Sequence, residues 1–214
     1  MTLEETRTKF TVCVFPERGI TEVELGMIER AMEYASLIYG CPVIMGSQVE
    51  GLDIRPDEIT GNAPLDSKGR SDSRSILDGM QYKLKSYGLK GAMVLYTSKD
   101  LYLGNTWCFG AARVGGGVTV QSVTRYSALS PDDKQAVITR TLIHELGHIH
   151  RLAASRKRPE TAEKFGNHCT AEGCVMRQSP TLKDLIRHAK EEDPKNCLCS
   201  LCKADLERFK YNYY

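Results

Sequence analysis

The 214-residue chain has a single tryptophan, aromatic residues make up only 7% of it, and it has no strong excess of either charge. Lysine plus arginine number 29 against 27 aspartate plus glutamate, a net +2 that gives no reason to expect a polyanion partner, so nucleic acid is not expected. No apolar run approaches the roughly 20 residues that a membrane-spanning helix needs, so no membrane partner is expected either. The opening MTLEETRTKF carries acidic residues where a secretion signal would be basic and then apolar, which points to a cytoplasmic protein. Cysteine, by contrast, is plentiful: there are eight, five of them in the last 46 residues. In a reducing compartment that crowding argues for metal binding rather than a disulfide framework.

The hydropathy pattern alternates strands and helices. Lys9 to Phe15 reads as a strand ended by Pro16, and Thr21 to Tyr39 has helical spacing. Cys41 to Val49 reads as a second strand. Gly51 to Ser71 reads as a long surface loop, and Asp72 or Ser73 can cap a helix running to about Tyr87. Gly88 to Tyr96 is apolar with little alternation, as in a strand buried on both faces of a parallel sheet. Thr106 to Arg113 and Gly117 to Val123 are two further strands around a glycine turn. The expected fold is therefore an α/β mixed sheet with an antiparallel edge strand, which a peptide could extend by main-chain hydrogen bonds.

Ser130-Pro131-Asp132-Asp133 marks the start of the next helix, with a capping serine, a proline at the first helical position and two carboxylates at its positive end. That helix carries His144-Glu145-x-x-His148. Residues four apart project from nearly the same side, roughly 6 Å apart along the axis, so two imidazoles can close on one zinc. Glu145 lies beside the open position, where it can take the proton of a zinc-bound water and pass it to a leaving amine. With Ile138 at zero, Leu142, Leu146 and Ile149 fall within about 80° on the apolar side, and the two histidines fall near 240° and 280°. His150 lies near 120°, which reads as a surface or outer-shell residue.

Arg151 to Lys164 is basic and proline-interrupted and reads as a solvated loop. It divides residues 1–164, which hold the helix, from a cysteine-rich subdomain at 165–214 with helices expected at Thr181 to Glu192 and Lys203 to Tyr211. Cys199 and Cys202 have the spacing with which one tight turn grips a zinc, and Cys169 and Cys174 can supply the other pair. Cys197 is a spare or an alternative ligand. Cys13, Cys41 and Cys108 read as buried free thiols in strand-like surroundings. His188, among charged residues of a tail helix, reads as a surface residue.

This combination resembles the archaemetzincins, metzincin-like peptidases whose pattern joins HExxHxxGxxH directly to C-x4-C-x-M and a later C-x2-C. The matching residues are His144-Glu145-x-x-His148, His168-Cys169, Cys169-x4-Cys174-x-Met176 and Cys199-x2-Cys202, and Thr97 to Tyr126 looks like the family's edge-strand region. The resemblance spans roughly residues 90 to 202. It implies a catalytic zinc on His144, His148 and His168, Glu145 as general base, and Met176 as the floor beneath the metal. It also implies a second, structural zinc on Cys169, Cys174, Cys199 and Cys202, and a peptide or protein substrate. Two departures stand out. Nineteen residues rather than five separate His148 from His168, with Arg151 at the position of the family's glycine, and the segment between Met176 and Cys199 is about five residues longer than the family's. Glu160 and Glu163 are rival third ligands, and a catalytically silent, zinc-stabilised binding module is the alternative function.

Overall fold

The computed structural model describes residues 1–153, 161–162 and 168–212. The chain opens with a short helix, α1 (Leu3–Thr8), then β1 (Thr11–Pro16), α2 (Glu22–Tyr39) and β2 (Val43–Met45). Next come α3 (Pro56–Gly61), β3 (Ser71–Asp72), α4 (Ser73–Ser86), β4 (Gly91–Thr97), β5 (Leu101–Leu103), β6 (Thr106–Cys108), β7 (Gly110–Arg113) and β8 (Val118–Ser122). The long helix α5 (Pro131–Ile149) precedes the short strands β9 (Thr161–Ala162) and β10 (His168–Cys169), and α6 (Leu182–Glu191) and α7 (Ser200–Asn212) follow.

The main sheet runs β2-β1-β4-β8-β7. Its first three pairings are parallel, and β7 pairs antiparallel with β8 at the edge, as the sequence pattern leads one to expect. Alternate residues of β1 feed opposite cores: Val12 and Val14 pack on the α2 and α5 side, Cys13 and Phe15 on the α4 side. This is why β1 and β4 are apolar throughout rather than alternating. A second, three-stranded ribbon, β3-β5-β6, precedes β7.

The helix starts are set locally. Thr21 and Glu24 form a reciprocal capping box on α2, and the Ser130 hydroxyl accepts from the Asp133 amide at 3.2 Å on α5. Lys134 then reaches Glu24 at 2.9 Å and ties the two helices together. Every residue of α5 from Val137 to Ile149 is buried. A helix with one apolar stripe achieves this because the sheet covers that stripe while Cys169, Val175, Met176 and Leu185 of the tail join the same core.

Several expectations need correcting. Gly51 to Ser71 is not one loop: Pro56, with no amide to lose, starts α3. Thr106 to Arg113 is split into β6 and β7, and α1 and β5 were not anticipated. Cys41 lies in the turn before β2 rather than in a strand and, like Cys108, is only half-buried, whereas Cys13 is fully buried. His150 is not at the surface. It is 4% exposed, stacked on Tyr39 with ring centroids 4.5 Å apart and edge-on to Phe209 at 4.8 Å, because α2 and α7 close over it. His188 is likewise buried, paired with the Ser179 hydroxyl at 2.9 Å, since α6 lays its histidine face inward.

Candidate functional site

Helix α5 brings His144 and His148 together at the floor of a cleft of about 630 Å³. Their Nε2 atoms are 3.2 Å apart. The His168 ring lies 5.2 Å from that of His144 and 4.9 Å from that of His148, centroid to centroid. One nitrogen from each of the three falls within 4.8 Å of the others. His144 Nδ1 faces the Val175 carbonyl at 2.7 Å, so Nδ1 carries the proton and Nε2 is left as a lone pair aimed at its neighbours. Tetrahedral zinc with nitrogen ligands at 2.0–2.1 Å separates them by about 3.3 Å, close to the 3.2 Å between the His144 and His148 nitrogens, and His168 is near enough to complete a set of three neutral imidazoles that suits the metal.

Glu145 lines the same cleft and is 6% exposed. Burial pushes its carboxyl up to about 8, with Arg140 pulling the other way. Burial also holds His144 well below the ordinary imidazole range and His148 down at about 3, so both rings are neutral donors at neutral pH. Opposite the carboxylate stands Gly110, where a side chain would put a carbon 2.9 Å from Glu145 Oε1. The edge strand can approach Glu145 this closely because position 110 is glycine.

Met176 is fully buried against Gly147, and a β-carbon there would fall 2.2 Å from its sulfur. The thiols of Cys169 and Cys199 are 3.7 Å apart, those of Cys174 and Cys202 3.6 Å, and all four sulfurs lie within 4.8 Å of one another. Zinc with four thiolates at 2.3 Å separates them by about 3.8 Å, so this set fits as well. Hydrogen bonding from Cys174 and Cys202 lowers the Cys169 thiol, while the same bond raises that of Cys174. Cys197 stands outside the cluster: its thiol meets the Pro194 carbonyl at 3.6 Å, and burial pushes it up to about 12.

The two clusters share one short segment. The Cys174 thiol belongs to the sulfur set, the Val175 carbonyl accepts from His144, and the Met176 carbonyl accepts from the Cys169 amide at 3.0 Å. Arg140 braces this segment and was not singled out from the sequence. Its guanidinium donates to the Val175 and Arg177 carbonyls at 3.2 and 2.7 Å and pairs with Glu192 at 3.0 Å. The available signal was its spacing, one turn before His144 and two before His148. Glu160 and Glu163 lie outside the described residues.

No family model matches the chain. A curated relative named Archaemetzincin, from Archaeoglobus fulgidus, is 30% identical over 92 residues, 42% of this chain. That match spans about half of the relative, 48% of its length. The crystal structure of archaemetzincin from Methanopyrus kandleri superposes with a TM-score of 0.68 at 24% identity, covering 96% of this chain and 97% of that one. The chain has the archaemetzincin fold. A zinc-dependent peptidase from Methanocorpusculum labreanum gives a TM-score of 0.64 at 19% identity over 91% of this chain and 99% of that one. The A. fulgidus archaemetzincin, solved in complex with malonate, gives 0.60 at 18% over 92% and 99%. Among the described residues of this archaemetzincin-like chain, no helix is long and apolar enough to cross a membrane.

Proposed function

We propose that the chain is a zinc metallopeptidase of the archaemetzincin kind, holding two zinc ions and acting in the cytosol on peptides or proteins. The observation that carries this reading is the convergence of three imidazole nitrogens within 4.8 Å beside a buried carboxylate on an open cleft. His144, His148 and His168 would hold one zinc, with Met176 beneath them. Cys169, Cys174, Cys199 and Cys202 would hold the other and fold residues 165–214 as a subdomain that completes the site. When bound, the catalytic zinc supplies Lewis acidity, polarising the scissile carbonyl and acidifying a water.

The chain's own residues do the rest. Strand β7 borders the cleft with its outer edge unpaired among the described residues, so an extended substrate can align on it through main-chain hydrogen bonds. Glu145 takes the proton of the attacking water and returns it to the leaving amine. The test is a peptide-library digest with wild type and Glu145→Ala, alongside metal analysis. The reading expects close to two zinc per chain in both proteins and cleavage by wild type alone. Cleavage that survives in Glu145→Ala, or no cleavage by the fully loaded wild type, would refute the assignment.

A further inference from the structure

The chain's one tryptophan lies in the cleft, and its surroundings hold it rigidly there. Trp107 on β6 and Phe109, at the bend before β7, are two residues apart. Their rings meet edge to face with centroids 4.7 Å apart, and both remain only half-buried. The Arg125 guanidinium covers one face of the indole at 4.3 Å and is itself gripped by both oxygens of Asp100, at 2.8 and 2.7 Å. Phe109 lies at 5.8 Å on Tyr126, whose hydroxyl is 3.2 Å from Thr141, one helical turn before Glu145. The aromatic surface is thus anchored on one side to a buttressed ion pair and on the other to the helix that carries the reacting groups. Pro180 and Leu185 of the tail also line the cleft.

A polar peptide segment gains nothing from such a wall, and the exposed ring surface has no partner of its own among the described residues. We infer that Trp107 and Phe109 form the specificity wall of the cleft and select peptides bearing a bulky apolar side chain, an aromatic ring above all, beside the segment aligned on β7. The inference rests on the proposed peptide-cleaving site and names the substrate class it takes. Burial of a large apolar group supplies the affinity, and edge-to-face contact with two fixed rings adds the preference for an aromatic one.

Because Trp107 is the only tryptophan, its emission reports directly on occupancy of the wall. Zinc-loaded Glu145→Ala is titrated with capped hexapeptides that differ only in one central residue: Phe, Leu, Ala or Asp. The Phe peptide should shift Trp107 emission saturably and bind at least about tenfold more tightly than the Ala peptide, with Leu between them. Phe109→Leu, which keeps a bulky apolar group against Tyr126, should erase the advantage of the Phe peptide over the Leu peptide, read by calorimetry. Equal affinities for the four peptides, or tight binding of the Phe peptide with Trp107 emission unmoved, would overturn the inference. Wild type that cleaves a library without apolar preference overturns the wall and leaves the peptidase reading. A Trp107 response to the Phe peptide in a protein that cleaves nothing supports the wall and overturns the peptidase reading instead.

Discussion

Replacing Arg140 with methionine removes the brace under the histidine site while keeping a side chain of similar length. The guanidinium is 4% exposed and its partner Glu192 is 5% exposed, so the variant leaves a carboxylate in the interior with only the weaker pull of Arg177 to offset its charge. Breaking a buried pair from one side costs about 3–5 kcal/mol, and the Val175 and Arg177 carbonyls lose a charged donor in the same step. Burial already raises the Glu192 carboxyl, against the pull of Arg140, so losing Arg140 raises it further. A carboxyl whose folded value lies above its unfolded one contributes stability that is present below the unfolded value and lost as pH climbs through the folded one. The deficit of Arg140→Met relative to wild type should therefore be about 3–5 kcal/mol at pH 8 and shrink toward pH 5. Arg140→Met combined with Glu192→Met should recover most of it, because an apolar pair of similar volume needs no desolvated charge. Urea unfolding in zinc-saturated buffer, followed by Trp107 emission and circular dichroism at both pH values, measures all three proteins. A deficit below about 1 kcal/mol at pH 8, or a double variant no better than the single, would refute the reasoning.

His168→Ala should fall from two zinc per chain to one without unfolding, read by metal analysis and circular dichroism; retention of both metals would transfer the third-ligand role to another residue. Gly147→Ala sets a helix-propensity gain of about 1 kcal/mol against an overpacking cost of about 1–3 kcal/mol from the Met176 sulfur. Its melting temperature should therefore drop, and a rise would show that Met176 yields freely. With the four-cysteine zinc in place and the histidine site empty, His144 and His148 have lowered folded values, so they contribute stability above about pH 6.5 that is lost on acidification. Glu145, raised to about 8, contributes stability that is lost as pH rises from the ordinary carboxylate range through 8. The cluster's contribution should then peak near pH 6.5, and Glu145→Gln should remove the alkaline fall; chemical denaturation across pH 5 to 8.5 of protein loaded with one zinc per chain, at the four-cysteine site, checks both.

What could be read from the sequence was local. The cap at Ser130, the i,i+4 histidines and the two-residue spacing of Cys199 and Cys202 each lie within a turn or two of chain, where periodicity and backbone geometry act directly. What could not be read depended on partners far along the chain. Glu192, which gives Arg140 its role, lies 52 residues away, and His150 is buried by rings from Tyr39 and Phe209 that no helical wheel of α5 contains. Short elements such as α3 and β5 offer too few residues for a period to show.

The end of α5 bears on how such sites tolerate change in length. Arg151 stands where the resemblance would have glycine, yet it keeps the left-handed backbone that glycine would favour, at φ 56°. Its amide returns to the His148 carbonyl and that of Leu152 to Gly147, closing the helix with a Schellman turn. One zinc-ligand candidate is thus pinned by a helix end, and the other, His168, by the neighbouring Cys169 in the sulfur cluster. Between two fixed posts a tether can lengthen at little expense: stretching it from five residues to nineteen raises the closure entropy by only about 1 kcal/mol. Sequence distance between ligands is then a poor ruler for such a centre, and what is selected is the pair of anchors.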